Sequence, residues 1–142
     1  MFEGAKQLLS KVHITERLLL EGEVRHKHHN QELLTSATKT LDEEDNGKLF
    51  LCTVTTVITL PSTGAQYGPY YIMNYGADGT VQISISPAAA DKIYGPDITA
   101  ADDTDIINTL ATAKKGDFIK IFYAGATGWS IGELRGTWAQ AS

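Results

Sequence analysis

The segment YYIMNYGADGTVQISIS, residues 70–86, holds two apolar runs separated by a turn signal. In the second run Val81, Ile83 and Ile85 point one way, while Gln82, Ser84 and Ser86 point the other. Successive side chains of an extended chain leave opposite sides, so this run is a half-buried strand with one wet face. The first run is aromatic and β-prone. Asp78-Gly79 lies between them and is the pair favoured in tight hairpin turns. Two adjacent strands are therefore expected here.

The same reading extends in both directions. KLFLCT and TVITLP form a second expected pair, stopped by Pro61. AKKGDFIKIFYAG places a turn at Lys115-Gly116 and then a strand through Ile119, Ile121 and Tyr123. GWSIGELRGTWAQ reads as a final strand, bulged at Gly132, with Trp129 and Ile131 on one face. ITAADDTDIINTLATA fits a helix begun by an acidic cap or a strand feeding the Lys115-Gly116 turn, and the strand is preferred. From Gly47 onward glycine recurs every few residues, which marks tight turns between short strands. Short strands at this spacing predict a mainly β domain, an antiparallel sandwich or barrel, over residues 41–142.

Residues 1–40 differ. Phe2, Ala5, Leu9 and Val12 recur at helical spacing, with Glu3, Lys6 and Lys11 off the stripe. ITERLLLEGEVRHKHHNQELL then mixes apolar triplets, Leu18, Leu19 and Leu20 among them, with charge. A short helix and an extended arm are expected. Such an arm has little core of its own, so its apolar residues need a surface, on either the β body or another chain.

Composition narrows the function classes. A chain of 142 residues fits one domain with a modest core. Its 12 basic and 17 acidic side chains give a net charge of -5, which disfavours a nucleic-acid binder. The single cysteine, Cys52, allows neither an internal disulfide nor a multi-cysteine zinc site, and within its apolar run it reads as a small buried hydrophobe. Neither a signal peptide nor a membrane span is expected, so the reading is a soluble protein of a reducing compartment.

Four groups of residues were weighed for chemistry. His26, His28 and His29 cluster in RHKHHNQ, and two imidazoles two residues apart can begin a zinc site or sense pH. Neither His13 nor Cys52 completes a ligand spacing, so the cluster reads as part of a hydrated polar arm. DEEDNG matches the opening of a calcium loop through Asp42, Glu44, Asn46 and Gly47, but its twelfth position is Thr53 where a glutamate is required. A solvated turn before a strand is expected there. Asp102, Asp103 and Asp105 could bind a cation or act as an acid/base pair, as Asp102 and Asp105 would in a small glycan hydrolase, yet acidic loops are common. Trp129, Trp138, Tyr67, Tyr70, Tyr71 and Tyr75 could stack sugars but fit core and rim positions equally. No enzymatic activity, cofactor or metal is expected.

Three segments carry a family likeness: TLDEEDNGKLFLCTVTTVITLPS, GPYYIMNYGADGTVQISISP and KKGDFIKIFYAGATGWSIGELRGTWA. Over residues 40–140 the chain resembles a β domain of tailed-bacteriophage structural proteins, found in head decoration (cement) proteins and in fibre or spike components. The matching elements are Asp45 to Gly47, Thr59-Leu60-Pro61, Gly68 to Gly76, Gly116-Asp117, Gly128-Trp129 and Gly136-Thr137-Trp138. The resemblance implies a homotrimer on the outer surface of a capsid, assembled in the host cytoplasm, with the major capsid protein as partner and no catalytic residues. A small chain without shaft repeats suits head decoration, with a tail, baseplate or fibre-tip adaptor as the alternative. In the decoration reading Phe2, Leu9, Val12, Leu18, Leu19 and Leu20 would grip neighbouring capsid subunits.

Overall fold

The computed structural model describes residues 30–63 and 68–142, and the chain divides into two units, Met1–Asn30 and Gln31–Ser142. The expected helix, the arm as far as residue 29, the six gripping residues from Phe2 to Leu20, all four histidines and Tyr67 lie outside the described residues.

The second unit is mainly β. Its strands are β1 Gln31–Leu34, β2 Thr38–Thr40, β3 Leu49–Cys52, β4 Thr56–Thr59, β5 Tyr70–Asn74 and β6 Ile83–Ser86. They continue with β7 Lys92–Tyr94, β8 Ile106–Asn108, β9 Phe118–Tyr123, β10 Gly128–Arg135 and β11 Ala139–Gln140. A six-stranded sheet has the order β1-β3-β5-β9-β10-β7, and a five-stranded sheet the order β11-β8-β6-β4-β2. Two open sheets around one core match the expected sandwich; the barrel alternative is not realised among the described residues.

The expected antiparallel pairing needs correction, because both sheets are mixed. The first six strands alternate between the sheets, so β1, β3 and β5 run parallel in one while β2, β4 and β6 run parallel in the other. The chain thus winds through three rungs, and β8, β9, β10 and β11 then add antiparallel partners. The pairs read as hairpins, β3 with β4 and β5 with β6, are in fact strands of opposite sheets. The reason lies in the links. Residues 35–37 and 53–55 are Thr-Ser-Ala and Thr-Val-Thr, without the glycine or asparagine that a two-residue hairpin turn requires. They turn a corner instead, and stacked corners bond to each other: Thr53 donates through N and Oγ1 to Leu34 O, at 3.1 and 2.8 Å. Gly79 does adopt the left-handed φ of +72°, but its turn lies within a longer crossing between the sheets.

The domain boundary also moves. Residues 31–40 were assigned to the arm, yet they form β1 and β2, the edge strand of each sheet. Their packing explains the shift. Leu34 is buried in register with Cys52, and Leu41 is buried beside them in the same core cluster.

The core is built as alternation predicts. Val81, Ile83 and Ile85 are buried, as are Ile119, Ile121 and Trp129. Each large side chain so buried contributes roughly 1.5–3 kcal/mol. Cys52 is fully buried, and burial pushes its thiol pKa from 9.0 to about 12. The ambiguous segment resolves as strand β8 followed by one 3-10 turn, Leu110–Thr112. The expected bulge in β10 falls between Ile131 and Glu133. A Cβ on Gly132 would stand 2.7 Å from the Phe122 ring, so only glycine lets that ring cross the bulge.

One end of the sandwich is held by a polar clasp. Asn74 Nδ2 donates to Asn108 Oδ1 and to Val81 O, and Asn108 Nδ2 donates to Asp117 Oδ2 and Thr137 O. All three side chains are buried and hydrogen-bonded, as buried polar groups must be. Gly136, at a φ of +95°, packs directly on the Asp117 carboxylate where any Cβ would collide. The Gly116-Asp117 and Gly136-Thr137 elements of the sequence therefore meet in one structural latch.

Candidate interaction surface

The outer face of the six-stranded sheet is apolar from its edge inward. On β1, β3 and β5 the residues opposite the core-facing positions are Leu33, Leu49, Leu51, Tyr71 and Met73. On β9, whose inner residues are Ile119 and Ile121, they are Phe118, Lys120 and Phe122. Strand register lines these up into rows. One row runs Leu33, Leu51, Met73, Phe118, Arg135 and the next runs Gln31, Leu49, Tyr71, Lys120, Glu133. Leu33 is 55% exposed and Phe122 38%.

Aromatic and cationic groups organise the middle of this face. Tyr71 and Phe118 stack with ring centroids 6.3 Å apart. The Arg135 guanidinium lies 5.3 Å from the Phe118 ring, and the Lys120 ammonium 5.7 Å from Tyr71. Each such cation–ring pair is worth about 0.5–1 kcal/mol at an exposed site. The pairs hold two long side chains flat over the sheet, leaving their charges at its surface. Aromatic and arginine side chains amid aliphatic ones are the composition of binding hot spots. The face can hold an apolar partner surface; it presents no arranged acid, base and nucleophile.

The five-stranded sheet differs. Its outward positions are Thr38 and Thr40 on β2, Val57 and Thr59 on β4, Ser84 and Ser86 on β6 and Ile107 on β8. That exterior is richer in hydroxyls, though Val57 is exposed, Ser84 is buried and Ile107 adds an aliphatic side chain.

The acidic candidates are dispersed. Asp102 is exposed, and its carboxylate pairs with Lys92 at 3.2 Å. Asp103 is exposed with a φ of 53°. A cavity of about 470 Å³ lies elsewhere, lined by Asp78, Gly79, Ala113, Lys114 and Thr137 among others. Among the described residues no three His, Cys, Asp or Glu side chains are grouped to hold a metal ion. No described helix is long and apolar enough to cross a membrane. The calcium-like DEEDNG run is a 3-10 turn, Glu43–Asp45, closed by a reciprocal cap between Asp42 and Asp45. The expectation of a solvated turn holds for Asp42, Glu43 and Glu44 but not for Asp45, which is buried against two lysines.

Of the aromatics, Trp129 and Tyr70 are core, while Tyr71 and Tyr75 are on the surface. The apolar face was missed in the sequence although FIKIFY carries its signal. Phe118 and Phe122 oppose Ile119 and Ile121, so the strand has no wet side. No family model matches the chain, and a search of curated proteins finds no match.

Proposed function

We propose that the protein is a head decoration protein of a tailed bacteriophage, a non-enzymatic cement that binds the outer capsid surface and ties major capsid subunits together. The observation carrying this reading is the row Leu33, Leu51, Met73, Phe118 on the outside of a sheet whose inner side is already filled. Apolar side chains outside a completed core, with Leu33 exposed at the edge and Leu51 and Met73 half-buried, suit a surface that meets another macromolecule. In this reading the face seats on the shell or on a neighbouring copy in a homotrimer, each copy presenting the same patch. Residues 1–29 supply further grip through Phe2, Leu9, Val12, Leu18, Leu19 and Leu20. Each apolar side chain buried adds about 1.5–3 kcal/mol before ordering costs. Three tethered arms raise avidity by about 10² to 10⁴ over one.

The test is a count of this chain per purified particle by electron imaging. Removal of residues 1–29, which leaves β1 intact, is expected to lower occupancy while the β body keeps its circular dichroism and melting transition. Undiminished occupancy would refute the gripping role. A second reading, a tail, baseplate or fibre-tip adaptor, draws on the half-buried Tyr71 and its Lys120 neighbour, a pair suited to a receptor or glycan. Labelled protein found at the tail rather than on the head would establish that reading instead.

A further inference from the structure

Among the described residues, the three-rung stack has an end at which both sheets stop together, with β1 closing one and β2 the other. A free strand edge offers unpaired N–H and C=O groups to any other strand. Here two edges lie one above the other. A second copy turned about a two-fold axis normal to both sheets would pair β1 with β1 and β2 with β2, extending the sandwich without a break.

One inward position on each strand of that end rung is charged, Glu32 on β1 and Lys39 on β2, while Leu34 is the apolar inward residue of β1. The column Glu32, Phe50, Ile72, Ile119 runs across one sheet and the column Lys39, Ile58, Ile85, Ile106 across the other, each in register. Every member but the first is fully or almost fully buried and apolar. Glu32 and Lys39 meet at 3.4 Å, and Lys48 and Asp45 complete a quartet with contacts of 3.1, 3.2 and 3.6 Å. Asp45 has no freedom to leave, since its second oxygen accepts from Asp42 N at 3.0 Å. The two lysines and Glu32 keep part of their side chains in water, at 25% and 32% exposure. Joining two such ends would strip water from six charges, Glu32, Lys39 and Lys48 of each copy, and desolvation of ion pairs commonly exceeds what their attraction returns.

We infer that the Glu32–Lys39–Asp45–Lys48 quartet is an end plug that bars a second copy of this chain from pairing with β1 and β2. Partners therefore meet the protein through its faces and not by strand addition at this end. The quartet is neutral, so it repels neither sign of partner; it acts by demanding water.

The double variant Glu32→Val/Lys39→Ile tests this. It continues both apolar columns to the edge and leaves the Asp45–Lys48 pair intact. By light scattering after size exclusion, its particle mass is expected to be twice that of the unmodified chain at micromolar concentration. The charge-swapped variant Glu32→Lys/Lys39→Glu should keep the unmodified mass. A double variant that folds and keeps the unmodified mass, or one that forms only polydisperse aggregate, would overturn the inference. Should it fail to fold, amide hydrogen exchange on the unmodified protein decides. Exchange in β1 and β2 should not change with protein concentration, and protection that grows with concentration would contradict the plug.

Discussion

The two outer faces of this sandwich are built on one core, yet they diverge. The six-stranded sheet shows Leu33, Leu51, Met73, Tyr71 and Phe118 outward, whereas the five-stranded sheet mixes Thr38, Thr40, Thr59, Ser84 and Ser86 with Val57 and Ile107. Inward residues are constrained by close packing and are interchangeable hydrophobes on both sheets. Outward residues are free of that constraint, so their character reports what lies outside. Hydroxyls suit water, and in the proposed function the stacked Tyr71–Phe118 pair beside Arg135 is where a partner would seat.

Four experiments break or sharpen this contrast. Phe118→Ala should cost about 3 kcal/mol in urea unfolding, because the ring is nearly buried on an outer face. Thr40→Ala on the opposite sheet should stay within about 0.5 kcal/mol. Equal costs would erase the distinction between the faces. Gly136→Ala probes the latch beneath both faces. A forced Cβ at positive φ against Asp117 should lower stability by about 1–3 kcal/mol, read as a fall in the unfolding midpoint. Leu33→Asp should change stability by less than about 1 kcal/mol, since the side chain is mostly exposed, yet weaken particle binding at least about tenfold. Unchanged binding would move the contact surface away from β1.

A further effect is alkaline. The folded state holds the Cys52 proton more tightly than the unfolded chain does, with a pKa of about 12 against 9.0. Burial alone would lower the Lys48 pKa, but hydrogen bonds to Glu32 and Asp45 outweigh it and raise the value above 10.5. Each group therefore gives stability that is present below its unfolded value, 9.0 for Cys52 and 10.5 for Lys48, and lost as pH rises through its folded value, about 12 for Cys52. The unfolding midpoint should decline over that window, and less steeply in Cys52→Ala. A flat profile would show that neither group differs between the folded and unfolded states.

Much of the core was legible because period-two alternation is a local property. Val81, Ile83, Ile85, Ile119, Ile121, Trp129 and the bulge at Gly132 were all read from short windows. Strand partners were not, because partnership between β1, β3 and β5 depends on residues 18 or more positions apart in Gln31, Leu49 and Tyr71. Asp78-Gly79 signals a turn truthfully but does not say which sheet the chain enters next. Glu32 and Lys39 looked like arm polarity. Only the rung register shows them standing where Phe50 and Ile58 stand one rung further in. The apolar outer face is hard to read because the outward residues of β9 are Phe118, Lys120 and Phe122, so alternation of apolar and polar residues fails on that strand.

Met73 gives the most direct test of the outer face as the contact surface, because its thioether is readily oxidised and projects outward from the middle of the apolar row. Oxidation of free and particle-bound protein by dilute peroxide, read by peptide mass spectrometry, should show Met73 protected at least about tenfold on the particle relative to free protein. Equal oxidation of Met73 in both states would place the contact elsewhere and contradict the reading of the six-stranded sheet.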